Sequence, residues 1–221
     1  MLRKNIPVMC GRYALDPRKL DRLVRLLSLP RPGFQGHFNL SPTQNVPIIR
    51  DAGQGPEWAM VRWGLIPNWA RERQTGYSTF NARVETAPRK PAFRDSWVHR
   101  RCIIPATGFY EWQALDDRRK QPWFFDGSDG DALAMAGLWD RWTDGSETID
   151  SCTILVGPPE PAVAPIHDRS PVLLGDTALS LWISPSLQQA DICRTLALPH
   201  VPVQARKVTR VADDGLYWAD A

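Results

Sequence analysis

The chain has 221 residues, 43% of them hydrophobic and 23% charged, the profile of a compact globular domain rather than of a disordered or fibrous chain. Its formal charge is +3, but Arg3 and Lys4 precede Met9, so from Cys10 onward 25 basic side chains face 24 acidic ones. This excludes a global electrostatic attraction to nucleic acid and requires any such site to be a local cluster. No apolar run is long enough to span a membrane, and Met1 to Val8 lacks the apolar centre and cleavage site of a signal peptide, so a cytoplasmic protein is expected.

In chain order, Asp16-Pro17 reads as an N-cap with proline in the first helical position. Leu20, Leu23, Val24 and Leu27 follow at i, i+3, i+4, i+7, which predicts an amphipathic helix ended by Pro30 to Gly36. Short strands are expected at Phe38 to Leu40, at Val46 to Arg50 and at Trp58 to Trp63. A further one at Thr79 to Glu85 projects Asn81, Arg83 and Glu85 from one face. Phe93 and Trp97 suggest a short helix after Pro91. Cys102 to Pro105, Gly108 to Trp112, Pro122 to Asp126, Leu133 to Leu138, Cys152 to Val156 and Val172 to Leu174 are further strand candidates. Ser184-Pro185 introduces a helix whose buried side is expected to hold Leu187, Ala190, Cys193 and Leu196, and Val201 to Val208 suits a last strand. Most of the ten tryptophans should be core. The four cysteines form no Cys-x-x-Cys pair, so neither a zinc site nor a redox dithiol is indicated.

The stretch with unusual chemistry is Met9-Cys10-Gly11-Arg12. If translation starts at Met9, or if the residues before Cys10 are removed, Cys10 carries a free α-amine beside its thiol. Such a 1,2-aminothiol captures an aldehyde: the amine forms a Schiff base and the thiol closes on the same carbon as a thiazolidine. The amine titrates near pH ~8 and the thiol near ~8.5, so some of each is nucleophilic at neutral pH. Three other polar sets stand out: Asn81 with Arg83, Glu111 in an aromatic run, and His167 with Asp168 and Arg169. Each alone has a bland explanation. A lone histidine is commonly a hydrogen-bonded loop residue, a lone arginine a surface ion-pair partner, and a cysteine before glycine a small buried side chain.

Together and in this order, they resemble the SRAP family, the SOS response-associated peptidase-like proteins that process abasic sites. The matching blocks are Met9-Cys10-Gly11-Arg12-Tyr13, Phe38 to Pro42, Trp63 to Trp69, Asn81 to Thr86, Arg101 to Pro105, Gly108 to Trp112 and Pro165 to Pro171. The resemblance implies a single α+β domain over residues 9–221 with a mostly antiparallel, barrel-like sheet flanked by helices and the site at a sheet edge. Residues 1–8 would be an extension absent from, or removed in, the active form. It implies a covalent crosslink between Cys10 and the ring-opened aldehyde of an abasic site in single-stranded DNA, with Glu111 and His167 assisting proton transfers and Asn81 orienting the reacting centre. It further implies that Arg12, Arg83 and Arg169 bind phosphates, that Asn39 lies in the DNA site, and that Pro42 and Trp63 form an apolar wedge against flanking bases. No metal or organic cofactor is needed. The expected protein is a monomer, associated with the nucleoid when on DNA.

Rival readings of the same residues are a cysteine peptidase using Cys10, His167 and Glu111, a non-catalytic single-strand-binding module, and a lyase that cleaves the strand through the Cys10 amine. The first tolerates a blocked amine at Cys10. The second is indifferent to its replacement. No role is assigned to residues 205–214.

Overall fold

The computed structural model describes residues 11–73, 76, 78–115 and 119–211. Met1 to Cys10 lie outside them, and with them the proposed nucleophile and the 1–8 extension. The strands are β1 (Tyr13–Leu15), β2 (His37–Leu40), β3 (Asn45–Asp51), β4 (Pro56–Trp63), β5 (Asn81–Arg83), β6 (Arg101–Ala106), β7 (Gly108–Ala114), β8 (Lys120–Gly127), β9 (Leu133–Thr143), β10 (Thr148–Gly157), β11 (Ser170–Pro171) and β12 (Val203–Lys207). The helices are α1 (Asp21–Leu26), α2 (Arg94–His99), α3 (Asp176–Ile183) and α4 (Gln189–Leu196).

Two sheets organise the domain. The first runs β12-β8-β7-β1-β2. In the second, β10, β4, β3, β6 and β9 follow one another and β9 pairs back onto β10, so the ring closes into a five-stranded barrel. The strands β5 and β11 are added along β10, with Ile154 opposite Asn81 and Val156 opposite both Arg83 and Pro171. Most pairings are antiparallel; β10–β4 and β10–β5 are parallel. Closure removes the exposed strand edges that an open sheet would leave. The α+β, barrel-like expectation therefore holds.

Barrel strands read as near-continuous apolar runs because their inward faces fill the interior while helices and loops cover much of the rest. All of β6 is buried, and so is β9 from Leu133 to Asp140. The helix α3 packs on β6 through Ala178, Leu179, Trp182 and Ile183. Arg101, 2% exposed, lies at that junction without a carboxylate. It donates to the carbonyls of Trp97 and Val98 at the end of α2 and of Trp182 and Ser184 at the end of α3, satisfying acceptors that helix ends leave open. Burial lowers its pKa.

The helix α3 was not among the expected elements, and four of the expected ones differ in the structure. The first helix begins as a 3-10 turn over Pro17–Lys19, with Asp16 accepting from the Arg18 amide as its cap, and turns α-helical only at Asp21. The extended segment around Asn81 is only three residues long, because Thr86 and Ala87 donate back to the Arg83 carbonyl and turn the chain. Val172 to Leu174 is not a strand but an isolated bridge, Leu173 to Met135, beyond β11. The last helix buries Ile192 and Thr195, while Ala190 and Cys193 are exposed. Ser184-Pro185 makes a separate turn and the helix is entered at Gln188, which rotates its face relative to the expected one. Among the described residues Cys102 and Cys152 are free and buried and Cys193 is free and exposed. No helix among them is long and apolar enough to cross a membrane.

Candidate active site

Where β1 and β7 of the five-stranded sheet meet the loop between β10 and β11, the surface opens into a cavity of about 430 Å³. It is lined by Gly11, Arg12, Glu111, Trp112, Ala114, Lys120, Ile166, His167 and Asp168. Its walls come from distant parts of the chain. The Tyr110 amide donates to the Arg12 carbonyl, which fixes the chain just after Cys10 against β7. At the entry to β7, Gly108 lies so close to β8 that a Cβ there would stand 2.1 Å from the Phe124 ring and 2.4 Å from the Phe125 carbonyl. Only glycine lets β7 pair at that distance.

Glu111 is 1% exposed, and a buried carboxylate is costly unless partnered. Facing it is His167, with Nε2 at 3.9 Å from Oε2. That is longer than a hydrogen bond, so a proton passes between them only through an interposed oxygen or after a small closure. The imidazole is held from its other side. The His167 amide donates to the Val163 carbonyl at 2.9 Å, ending the turn after Pro161, and Nδ1 accepts from the Arg169 amide at 3.2 Å. The Arg169 carbonyl lies 3.3 Å from the same nitrogen, so this side of the neutral ring accommodates either tautomer, Nδ1 accepting from that amide or donating to that carbonyl. In the protonated ring, Nδ1–H also faces the Asp168 carboxylate at 3.3 Å.

Arg12 donates from Nη1 to Asn39 Oδ1 at 2.6 Å, across β1 and β2. Asn39 thus orients the guanidinium that lines the cavity. Arg169 pairs through Nη1 with Glu85. Burial pushes the Glu85 carboxyl up, but its bond and charge contact with Arg169 prevail and lower its pKa overall. Arg169 is therefore already neutralised on one side, and a phosphate there would share it with Glu85. The pair ties the segment of Asn81 and Arg83 to the loop of His167. Asn81 is half-buried and Arg83 exposed.

Arg12, Asn39, Glu111 and His167 thus come together at one cavity. Arg169 follows Asp168 of the cavity wall, and its pairing with Glu85 links it to the segment of Asn81 and Arg83. Pro42 and Trp63 instead line a different cavity, at the far end of β4.

Trp63 cannot serve as a wedge. It is 0% exposed, its ring packs edge-on against Tyr13 and Phe80, and its indole N–H donates to the Phe80 carbonyl. The fully packed side chain has no face to offer a base. Six residues on, Trp69 is 56% exposed, in a loop clamped by three bonds: Ile66 N–H to Ser151, Asn68 N–H to Asp140, and the Trp142 indole to the Ala70 carbonyl. Sequence reasoning also passed over Lys120, which reaches the site cavity because it stands opposite Ala114 across the β7–β8 pairing. The available signal was hairpin register, which the sequence alone did not reveal. Among the described residues no group of three or more His, Cys, Asp or Glu is placed to hold a metal ion.

The family model of the SOS response associated peptidases (SRAP) matches residues 9–214. Among curated relatives, abasic site processing protein YoqW of Bacillus subtilis is 36% identical over 197 residues, 87% of this chain and 88% of that one. Abasic site processing protein YedK of Escherichia coli is 28% identical over 200 residues, 88% of each chain. Abasic site processing protein HMCES of Xenopus tropicalis is 32% identical over 182 residues, 68% of this chain and 54% of that one. A solved structure from Bordetella bronchiseptica superposes with a TM-score of 0.77 at 30% identity, covering 91% of this chain and all of that one.

Proposed function

Because the chain belongs to the SRAP family, we propose that it processes abasic sites in single-stranded DNA by capturing the ring-opened sugar aldehyde on an N-terminal Cys10. The observation that carries this reading is the cavity in which Gly11, the residue after Cys10, lies beside a buried Glu111 facing His167. Relatives across its length are named abasic site processing proteins.

The reaction starts when Cys10 is the first residue, through initiation at Met9 or removal of what precedes it. The unprotonated α-amine adds to the aldehyde carbon, and the carbinolamine loses its hydroxyl as water to give a Schiff base. The thiol sulfur then adds to that carbon while its proton passes to nitrogen, closing the thiazolidine; one water leaves overall. Sugar opening needs a proton taken from the anomeric hydroxyl and one given to the ring oxygen, and carbinolamine dehydration needs one given to the leaving hydroxyl. Glu111 and His167, 3.9 Å apart, can both hydrogen-bond one such oxygen sitting beside the line that joins them. Arg12, oriented by Asn39, supplies a fixed charge for a phosphate at the cavity wall, with Arg83 and Arg169 as further phosphate ligands and Asn81 hydrogen-bonding the reacting centre.

The test is the intact mass of the protein and of its product with a single-stranded oligonucleotide bearing one abasic site. A chain beginning at Cys10 should give a denaturation-stable adduct equal to the sum of the two masses less one water, and Cys10→Ala should abolish it. An unblocked Cys10 that forms no adduct overturns the reading. Strand cleavage by Cys10→Ala, which keeps the α-amine, would instead place lyase chemistry on that amine.

A further inference from the structure

We propose that the second cavity, between Arg62 and Arg73, is an anion site that takes a phosphodiester of the DNA backbone, apart from the cavity of Glu111 and His167. The identity of the anion rests on the reading that the partner is DNA; the site itself does not.

The cavity measures about 310 Å³ and opens at the end of β4 beside Pro42. Arg62 is half-buried there and makes no ion pair among the described residues. Its two hydrogen bonds both leave from Nη1, to the carbonyls of Gly64 at 3.0 Å and Trp63 at 3.4 Å. Among the described residues Nε and Nη2 donate to nothing. Other arginines in the interior are more fully satisfied, Arg50 by Glu57 and Asp150, Arg100 by Asp95 and Asp140, and Arg101 by four carbonyls, while Arg12 at the first cavity likewise has no carboxylate partner among the described residues. A half-buried cation without a counter-ion calls for an anion from outside.

Instead of a carboxylate, the neighbour across the cavity is a second cation, Arg73, whose contact with Glu147 is long, 3.7 Å, and exposed. Burial, and next the charge of Arg73, lower the pKa of Arg62. No carboxylate lines this cavity among the described residues, although Glu147 and Asp150 line the adjoining one that Arg62, Arg73 and Thr43 also border; Thr43, Ser78 and Thr79 bring hydroxyls to this side. Two guanidinium forks with hydroxyl donors and no acidic group are the donor set of a phosphate site.

The backbone is shaped to the same end. Gly64 has φ +127, and a Cβ there would lie 2.5 Å from Arg62 Nη1; any other residue would push the guanidinium away. Thr43, a β-branched residue, is held at φ +79 by its amide bond to the Trp63 carbonyl, 2.7 Å. Strained conformations of this kind persist where surrounding structure enforces them, and they gather at binding sites.

The experiment measures binding of an undamaged single-stranded oligonucleotide to the full chain across a range of salt, so Cys10 chemistry plays no part. Arg62→Gln and Arg73→Gln should each weaken binding severalfold and lower the slope of log K against log salt by about 0.7 for each phosphate no longer neutralised. Arg31→Gln, which removes an exposed guanidinium paired with Asp21, should change neither. Arg73 is exposed, so its variant reports even if Arg62→Gln perturbs the fold. Unchanged affinity and slope in both cavity variants, with Arg12→Gln weakened, overturn the proposal and leave the DNA reading standing. If wild type binds no oligonucleotide, the DNA reading fails and inorganic pyrophosphate, followed through the Gly64 and Leu65 amide resonances, decides the site. Shifts that vanish in Arg73→Gln keep it as a site for a free phosphate; their absence in wild type overturns it.

Discussion

The two cavities differ in what they do with charge. Around Glu111 and His167, ionisable groups face one another at 3.9 Å, too far for a direct hydrogen bond but within reach of one shared oxygen, and each is held by backbone bonds or burial. Around Arg62 and Arg73, two fixed cations stand together, and among the described residues the nearby carboxylates, Glu147 and Asp150, line the adjoining cavity rather than this one. Guanidinium groups do not exchange protons near neutral pH. The first arrangement is suited to reaction and the second to holding an anion, and one fold presents both because β4 and β7 belong to different sheets that meet through β10 and its loop.

The sharpest way to break this contrast is kinetic. Glu111→Gln should slow single-turnover adduct formation at saturating DNA by about 10²–10⁴-fold with binding unchanged, whereas Arg73→Gln should do the reverse. A variant at Glu111 that lost affinity rather than rate would erase the distinction. Next in size is the cost of removing Trp63, which lines the second cavity from within the core. Trp63→Ala should lose about 3–5 kcal/mol in denaturant unfolding, and Trp69→Ala about 0.5 kcal/mol or less. Equal effects would mean that Trp63 is not the core side chain its 0% exposure indicates.

Asp150 receives Arg50 and Arg141 on the flank of the barrel near the second cavity. Burial alone would raise its carboxyl, but the bonds from Arg141 and Arg50 outweigh this and lower it. The associated stability is therefore present above the unfolded value near pH ~3.9 and lost as pH falls through the lowered folded value. Asp150→Asn should remove that acid-side component, by about 1–3 kcal/mol, in urea titrations at pH 3 to 7. The smallest effect belongs to the loop that carries His167. Glu160 bonds His200 and raises its pKa despite the opposing effect of burial, so that contribution is full below pH ~6.5 and fades as pH rises through the raised folded value. His200→Gln should flatten this decline by about 1 kcal/mol or less, read as unfolding midpoints between pH 5 and 8.

Much of the fold was legible because burial writes itself into spacing. Leu20, Leu23 and Leu27 recur at helical intervals and are buried; Cys102 to Pro105 and Leu133 to Leu138 are apolar throughout because barrel strands are covered on both faces. Asp176 to Ile183 escaped because Leu179, Leu181 and Ile183 alternate like a strand, while its buried pairs, Ala178-Leu179 and Trp182-Ile183, are helical only once β6 lies beneath them. Cys193 falls on the buried side only if its helix is counted from Ser184, whereas the chain enters that helix at Gln188.

By itself the sequence determined the blocks that mark the family, the apolar periodicities, and the residue types able to open a sugar and capture an aldehyde, since chemistry and local geometry travel with residue identity and spacing. Only the tertiary structure decided which tryptophan is covered, that Glu111 meets His167 from 56 positions away, that Asn39 orients Arg12, and that Arg62 has no counter-ion among the described residues. Exposure and pairing are properties of what packs against a side chain, and those neighbours come from strands distant in sequence and adjacent only in the closed sheet.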